Sequence, residues 1–292
     1  MDKYLFIVNP TAGSGKTKTY IQFIEDYMSS SNREYKLVVT TRPKEATLIV
    51  TENPDYNICV SVGGDGTTNE VAKGILERGS GILGIIPSGT GNDMAQALKL
   101  DMDRNRAIQR VLNGKVASID LGKVRGDYFF NIASVGFDAW VVSETDKIKR
   151  VVKGKTAYVL GVLAGLLTYR SREVSIEIDG MTIKRKATLV AVGNGQSYGG
   201  GMKILPMASI YDDMLDVCVV KDISNLKILF LFPSIFKGEH IKYKKHVEFF
   251  RGRNVKVTLD YRQLLNIDGE LFVIEDEVVE FTLSNKKLSV IT

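Results

Sequence analysis

The stretch Asn57-Ile-Cys-Val-Ser-Val-Gly-Gly-Asp-Gly-Thr-Thr-Asn-Glu70 decides the fold. Asn57–Val62 is a short apolar run of the kind that makes a buried strand, and Asn69–Glu77 continues with the spacing of a helix. Gly63 and Gly64 lack side chains, so the backbone between the two can approach a ligand closely, and the amides that open the helix have no partner inside it. The same strand, glycine turn and helix recur on both sides. Tyr4–Val8 passes through Asn9-Pro-Thr-Ala-Gly13 into a helix over Lys16–Met28, with Tyr20, Phe23, Ile24 and Tyr27 on one face. Ile82–Ile86 passes through Pro87-Ser-Gly-Thr-Gly91 into Asp93–Leu98, and Tyr35–Thr40 with Lys44–Val50 adds a further strand and helix. Alternation of this kind over about 115 residues predicts an α/β domain with a mostly parallel, doubly wound sheet. Such sheets bind ligands at the carboxyl ends of their strands, where all three glycine turns fall.

Beyond Asn113-Gly114 the pattern changes to strands: Ser118–Val124, Tyr128–Val135, Glu173–Ile178, Lys184–Val192, Met214–Val220, Val255–Leu259, Val278–Leu283 and Leu288–Ile291. Only Asp138–Tyr169 and Asn225–Glu239 read as helical. The chain is therefore expected to divide into residues 1–120 and an antiparallel β domain over 121–292, with the last strand free to return to the first domain. An edge strand in the β domain can pair two copies, so a homodimer is compatible with this reading.

Composition narrows the partners. Lys and Arg number 39 against 34 Asp and Glu, a net charge of +5 in 292 residues, which suits phosphates or an anionic membrane surface. No dense basic run with interleaved aromatics and no recognition-helix motif is present, which argues against nucleic acid. Cys59 and Cys218 lie in apolar runs, where a small buried thiol is expected rather than a disulfide. The apolar run near the N-terminus is too short for a secretory signal, so a cytosolic chain is expected. Thr156–Tyr169 and Leu226–Phe236 are too short to cross a bilayer, so contact with a membrane would be peripheral. The basic residues from Lys147 to Lys155 precede the first of these segments, as on a surface that rests on anionic lipid or simply on a solvated face.

Each candidate group carries two readings. Gly13-Ser-Gly-Lys-Thr17 imitates the end of a P-loop, but that motif needs a glycine where Pro10 stands, leaving a looser phosphate turn or a plain strand-to-helix connection. Asp65 would repel phosphate unless a divalent cation intervenes, which points to Mg²⁺; alternatively it caps a turn. Ser88, Thr90, Asn92 and Asp93 suit a phosphate or polar head group, or else an N-cap. Asp268-Gly269 marks a tight hairpin, on which Glu270 is either a solvated charge or a general base. Tyr211-Asp212-Asp213 is a surface turn or a metal site, and His240 and His246 lack the companions of a zinc site.

Taken together, the ordered set Asn9-Pro-Thr-Ala-Gly13, Gly63-Gly-Asp-Gly-Thr-Thr-Asn-Glu70, Pro87-Ser-Gly-Thr-Gly-Asn-Asp93, Asn131-Ile-Ala-Ser-Val-Gly-Phe-Asp138, Gly199-Gly-Gly201 to Pro206 and Asp268-Gly-Glu270 resembles the bacterial diacylglycerol kinase family of soluble lipid kinases. The Gly-Gly-Asp-Gly-Thr element alone is shared with NAD kinases, sphingosine kinases and, more distantly, phosphofructokinases. The resemblance implies an NAD kinase-like nucleotide-binding domain followed by a β-sandwich domain, with ATP and lipid meeting in an interdomain cleft. It implies ATP contacts at Asn9, Pro10, Thr11, Ala12, Gly13, Thr40, Gly64, Asp65, Gly66, Thr67, Thr68, Asn69, Glu70 and Thr90. Asp65 matches the family's aspartate that engages Mg²⁺ and the triphosphate, and Glu270 its catalytic base. A structural Mg²⁺ site would use the Ser209 carbonyl, the Asp212 carboxylate and the Met214 carbonyl, although Asp213 stands where the family usually has glycine. The implied activity is transfer of the γ-phosphoryl group of ATP to the hydroxyl of diacylglycerol or a related lipid, at the inner face of the membrane. A soluble kinase of the NAD kinase type and a non-catalytic nucleotide- or lipid-binding regulator are the rival readings; Asp65 and Glu270 count against the second.

Overall fold

The computed structural model describes residues 2–141, 165, 169–259, 263–275 and 277–292. Two compact units emerge: Met1–Asp120 with Lys286–Thr292, and Leu121–Asn285. In chain order the strands of the first unit begin with β1 (Lys3–Val8), β2 (Glu34–Val39), β3 (Ile58–Gly63), β4 (Ile82–Pro87) and β5 (Val116–Ile119). The second unit holds β6 (Gly122–Val124), β7 (Asp127–Phe129), β8 (Ile132–Gly136), β9 (Arg172–Ile178), β10 (Met181–Gly193), β11 (Leu215–Lys221), β12 (Val247–Gly252), β13 (Asn254–Leu259), β14 (Gln263–Ile267), β15 (Glu270–Ile274) and β16 (Val278–Leu283). The chain then returns to the first unit with β17 (Leu288–Ile291). Among the described residues, the labelled helices are α1 (Thr19–Ser29), α2 (Glu45–Thr51), α3 (Asp65–Arg78), α4 (Asp93–Ala97), α5 (Arg104–Asn113) and, in the second unit, α6 (Asn225–Lys237).

The first unit is a six-stranded sheet in the order β2-β1-β3-β4-β17-β5. Every neighbour is parallel except β17 and β5. Strands β1, β3 and β4 are buried along nearly their whole length, which is why they read as continuous apolar runs rather than alternating ones. Phe6, Val60, Val62 and Ile86 from these strands pack with Ile24 and Met28 of α1 and with Ile108 and Val111 of α5. Helix α5 escapes the sequence reading although its signals are present: the Asp103 carboxylate accepts from the Asn105 and Arg106 amides, and Ala107, Ile108, Val111 and Leu112 form its buried stripe.

Strands of the second unit pair antiparallel along the path β15-β14-β8-β10-β9-β13-β16-β6-β7, with β11 joining β10 to β12. The long strand β10 changes partners midway. Residues 181–187 pair with β9, and after an irregularity between Ala187 and Leu189 the remainder pairs with β8 and β11. A strand that switches neighbours at such a point turns the corner of a sandwich, and Val135, Ile176, Val190, Val217, Val257 and Phe281 meet in its core.

Two expected strands are divided, each for a visible reason. Ser118–Val124 breaks into β5 and β6, which belong to different sheets; between them Asp120 is buried and ion-paired with Lys287 at 2.8 Å. Tyr128–Val135 breaks into β7 and β8 because the amides of Phe130, Asn131 and Ile132 turn away from the ladder to the Asp268 carboxylate, at 2.6, 3.0 and 2.9 Å. Strands β12, β14 and β15 were not expected as strands, although the hairpin turn joining β14 and β15 was. The anticipated helix after Asp138 is present at 137–141; most of Thr156–Tyr169 and the basic run from Lys147 to Lys155 lie outside the described residues.

Candidate functional site

At the carboxyl end of the first unit's sheet the three glycine turns are knitted together. A side chain at Gly13, whose φ is +56°, would meet the Ser88 carbonyl oxygen at 2.2 Å, and one at Gly89 would meet the Gly64 Cα at 2.3 Å. Only glycine allows these crossings. Hydrogen bonds complete the weave: Thr17 and Ser88 hydroxyls lie 2.9 Å apart, and Asn9 Nδ2 donates to Thr67 Oγ1 at 3.0 Å. Asn9 Oδ1 accepts in turn from the Thr11 amide and hydroxyl, at 3.1 and 2.8 Å. The expected helix over Lys16–Met28 starts later, at Thr19, because Gly13, Ser14 and Gly15 all take positive φ and force an irregular 3-10 turn over Ala12–Lys18.

Helix α3 begins at Asp65, four residues earlier than the apolar spacing suggests, so Asp65 belongs to a helix's first turn rather than to a loop. Both of its oxygens are engaged: Oδ2 accepts from the Asn92 amide at 2.8 Å and Oδ1 from the Asp93 amide at 2.6 Å. Asp65 therefore caps the start of α4 and joins the second glycine turn to the third. Burial pushes its carboxyl pKa up, opposed by these amide bonds.

A cavity of about 370 Å³ opens beside this weave, lined by Asn9, Thr11, Thr40, Thr41, Arg42, Pro43, Gly66, Thr67 and Glu70. Six of these positions were expected from sequence. Thr41, Arg42 and Pro43 were not, although they continue directly from Thr40. Glu70 has a structural duty there, since its carboxylate accepts from the Lys44 and Ala46 amides at 2.9 and 3.1 Å and so caps α2. The Thr68 hydroxyl faces inward to Ser61, 3.1 Å away, and Asn69 is buried, whereas Thr90 is exposed. Pro10, Ala12, Gly13 and Gly64 shape the neighbouring turns without lining this cavity. The cavity walls combine hydroxyls, an amide and the opening turn of a 14-residue helix, a setting that attracts an anion.

In the second unit the β14–β15 hairpin turns through Asp268 and Gly269, with φ of +47° and +94°. Its anchorage is unusually full. Besides the three amides held by Asp268, the Asp268 amide donates to the Ile132 carbonyl at 3.0 Å, and Asn266 Oδ1 accepts from the Gly269 amide at 2.8 Å. Asn266 Nδ2 donates to Asp138 at 3.3 Å, and the Ser134 hydroxyl donates to the same carboxylate. Asp138 is buried, which drives its pKa up. Glu270 stands exposed at the first position of β15, one residue past this anchor. Two motifs far apart in sequence, 131–138 and 268–270, thus form one assembly.

Of the implied metal trio, Asp212 is the side chain that would ligate, and it is engaged by other groups here. The Arg251 guanidinium donates to the Asp212 carboxylate, and Met214 sends its amide to Asp212 Oδ1 at 3.3 Å. Asp213 takes φ +57°, a left-handed conformation that glycine adopts most readily. Neighbouring Asp216 pairs with Arg251 at 3.5 Å, and burial raises its pKa from 3.8 to about 6. Arg251 is thus shared by two carboxylates, Asp212 and Asp216. Among the described residues no group of three or more His, Cys, Asp or Glu side chains could hold a metal ion. His240 is structural, with Nε2 3.0 Å from the Ile204 carbonyl, and burial raises the pKa of both cysteine thiols.

Comparison with known proteins extends over both units. The profile of a family described as the diacylglycerol kinase catalytic domain matches residues 3–124, and that of the YegS C-terminal NAD kinase beta sandwich-like domain matches residues 131–291. The diacylglycerol kinase of Bacillus subtilis (strain 168) is 31% identical over 274 residues, covering 92% of this chain and 90% of its own. That of Staphylococcus haemolyticus (strain JCSC1435) is 30% identical over 267 residues, covering 90% and 81%. Among solved structures, a putative diacylglycerol kinase from Bacillus anthracis str. Sterne superposes with a TM-score of 0.81 at 24% identity, covering 99% of this chain and 96% of that one, a likeness of fold.

Proposed function

This chain belongs to the diacylglycerol kinase family, and from that premise we propose that it is an ATP-dependent lipid kinase, transferring the γ-phosphoryl group to the hydroxyl of diacylglycerol or a close relative. The observation that carries the reading is the knitted end of the first sheet, where Asn9, Thr11, Thr40, Gly66 and Thr67 line one polar cavity at a helix start. Triphosphate is the ligand that needs several hydroxyls and amides converging in this way. The substrate is taken as MgATP, whose metal neutralises the phosphate charge and stabilises the charge that develops during transfer. Asp65 holds two of the turns in register, and its negative charge favours the Mg²⁺ of the incoming nucleotide.

Glu270 is assigned as the general base. As the lipid oxygen bonds to the γ-phosphorus, the bond to the β-bridging oxygen breaks, ADP leaves, and the hydroxyl proton passes to the Glu270 carboxylate. The anchored hairpin supports this role, because a base must be held at a fixed place while remaining accessible to the acceptor. The product is phosphatidic acid or its analogue. Among the described residues no helix is long and apolar enough to cross a membrane, so the lipid would be met by peripheral association at the inner membrane face.

One observation favours a second reading: the family matching residues 131–291 is described as NAD kinase beta sandwich-like. Incubation with γ-labelled ATP and separate acceptors distinguishes the two. Label in diacylglycerol, phosphatidylglycerol, a sphingoid base or an isoprenoid alcohol supports the lipid kinase and names its substrate; label in NAD alone replaces it; no transfer to any acceptor supports a non-catalytic regulator.

A further inference from the structure

Helix α6 is apolar on two opposite sides. At about 100° per residue, Ile228, Phe232 and Ile235 share one face, while Leu226, Leu229, Phe230 and Pro233 share the other. The first face packs inward against Leu205, Met202 and their neighbours, and it forms one wall of an apolar cavity of about 80 Å³. The second face meets solvent: Leu226 is 72% and Phe230 81% exposed, and no residue of the helix is buried. A helix that is hydrophobic all round is ordinarily buried in protein or lipid, and a surface that leaves such a stripe bare has a partner.

Charge identifies the partner. Residues 225–246 contain five lysines, at 227, 237, 242, 244 and 245, against one acid, Glu239, which is itself paired with Lys242 at 3.0 Å. All five lysines are exposed. Lys237 follows Phe230 and Pro233 on the same outward face, one turn beyond Pro233. The acid nearest the start of the helix, Asp222, is paired with Lys186 at 2.8 Å. An apolar stripe that carries Lys237, in a segment with a lysine excess, is complementary to a bilayer containing anionic lipid: the large side chains enter the acyl boundary while the ammonium groups remain among the headgroups.

We propose that the outward face of α6, with Leu226, Leu229 and Phe230 as its inserted side chains and the lysines of residues 227–245 as its charged rim, docks this chain on an anionic membrane. The inference deepens the lipid-kinase reading and rests on it for the choice of a bilayer over an acidic protein groove. It places the inner face of the same helix, and the apolar cavity behind it, at the surface from which the acceptor comes.

Sedimentation with vesicles of phosphatidylcholine and phosphatidylglycerol, without ATP, tests the surface independently of catalysis. The parent chain should pellet at low salt, less so at high salt or on phosphatidylcholine alone. Leu226→Ser with Phe230→Ser should lower the bound fraction by roughly ten- to a hundredfold in partition coefficient, and Leu48→Ser, at an exposed leucine of the other unit, should leave it unchanged. Both α6 positions are exposed, so the thermal midpoint should hold and a folding defect would be recognised. Phe230→Trp gives a positive readout: its added emission should shift to the blue when anionic vesicles are present. Equal pelleting of the double serine variant, absence of vesicle binding by the parent, or a parent dimer that the serine substitutions dissociate would each overturn the proposal. The kinase reading fails separately: a chain that docks through α6 yet phosphorylates no lipid refutes that reading, while label transfer with unaltered docking of the variant refutes this one.

Discussion

The glycine-turn end of the first unit and the 266–270 hairpin of the second each place an acidic residue beside the end of a strand, and they differ in how far they bury it. Asp65 is half-buried, accepts from two amides and ties one turn to another. Glu270 is exposed, and the residues just before it, Asn266 and Asp268, are anchored by backbone amides. One end is a fixed cradle whose carboxylate belongs to the framework. The other is a fixed mount carrying its acidic residue at an exposed position. The contrast suits a division of labour in which a polyphosphate is bound by preorganised groups and a proton is taken by an accessible one.

The sharpest way to break this comparison is at the mount. Glu270→Gln keeps the shape and removes the base, so turnover should fall by roughly 10²–10⁴ while the ATP dissociation constant stays put. Near-normal turnover would leave the hairpin without a catalytic role. Asp268→Ala should have the next largest effect, because it strands three amide donors at once; we expect a loss of about 2–4 kcal/mol in urea unfolding, with partial recovery in Asp268→Asn. If stability is unchanged, the anchorage is not what holds the hairpin.

On the cradle side, Gly89→Ala pushes a methyl against the Gly64 backbone and should cost about 1–3 kcal/mol, together with weaker nucleotide binding. A variant that binds ATP normally would show that the crossing of the two turns is incidental. Smaller still is a pH effect at the Arg251 cluster. The Asp216 carboxyl has a folded pKa of about 6 against an ordinary 3.8, so its contribution to stability is fully present below 3.8 and is lost as pH rises through about 6. Relative to Asp216→Asn, the parent should therefore lose stability between those values, by no more than about 2 kcal/mol because Arg251 is half-exposed and solvent screens the charge. Chelation should do least of all: with Arg251 already shared by Asp212 and Asp216, EDTA should leave the thermal midpoint of the nucleotide-free protein unmoved.

The two regions also differ in how far they could be read from sequence. Parallel buried strands announce themselves as unbroken apolar runs, and glycines mark where backbones cross, so β1, β3 and β4 and their turns were legible. What each side chain does inside the turns was not. Asp65 as a cap for α4 and Glu70 as a cap for α2 depend on contacts 24–28 residues away, which spacing cannot register. The second unit was harder because its strands are half-buried or short. Tyr128–Val135 looks continuous until Asp268, more than 130 residues later, draws three amides out of the ladder. Arg251 beside Asp212 was invisible for the same reason, since β11 and β12 pair only across a long connection. Helix α5, by contrast, was readable from its Asp103 cap and four buried apolar positions, and it was missed.

The most direct test of the claim that the three knitted turns seat the nucleotide is amide hydrogen exchange of the whole chain, with and without Mg²⁺ and a non-hydrolysable ATP analogue. The account predicts slower exchange within Asn9–Gly13, Gly64–Glu70 and Ser88–Asp93 when the analogue is bound. Saturated analogue binding that leaves all three segments unchanged and slows exchange elsewhere would contradict it.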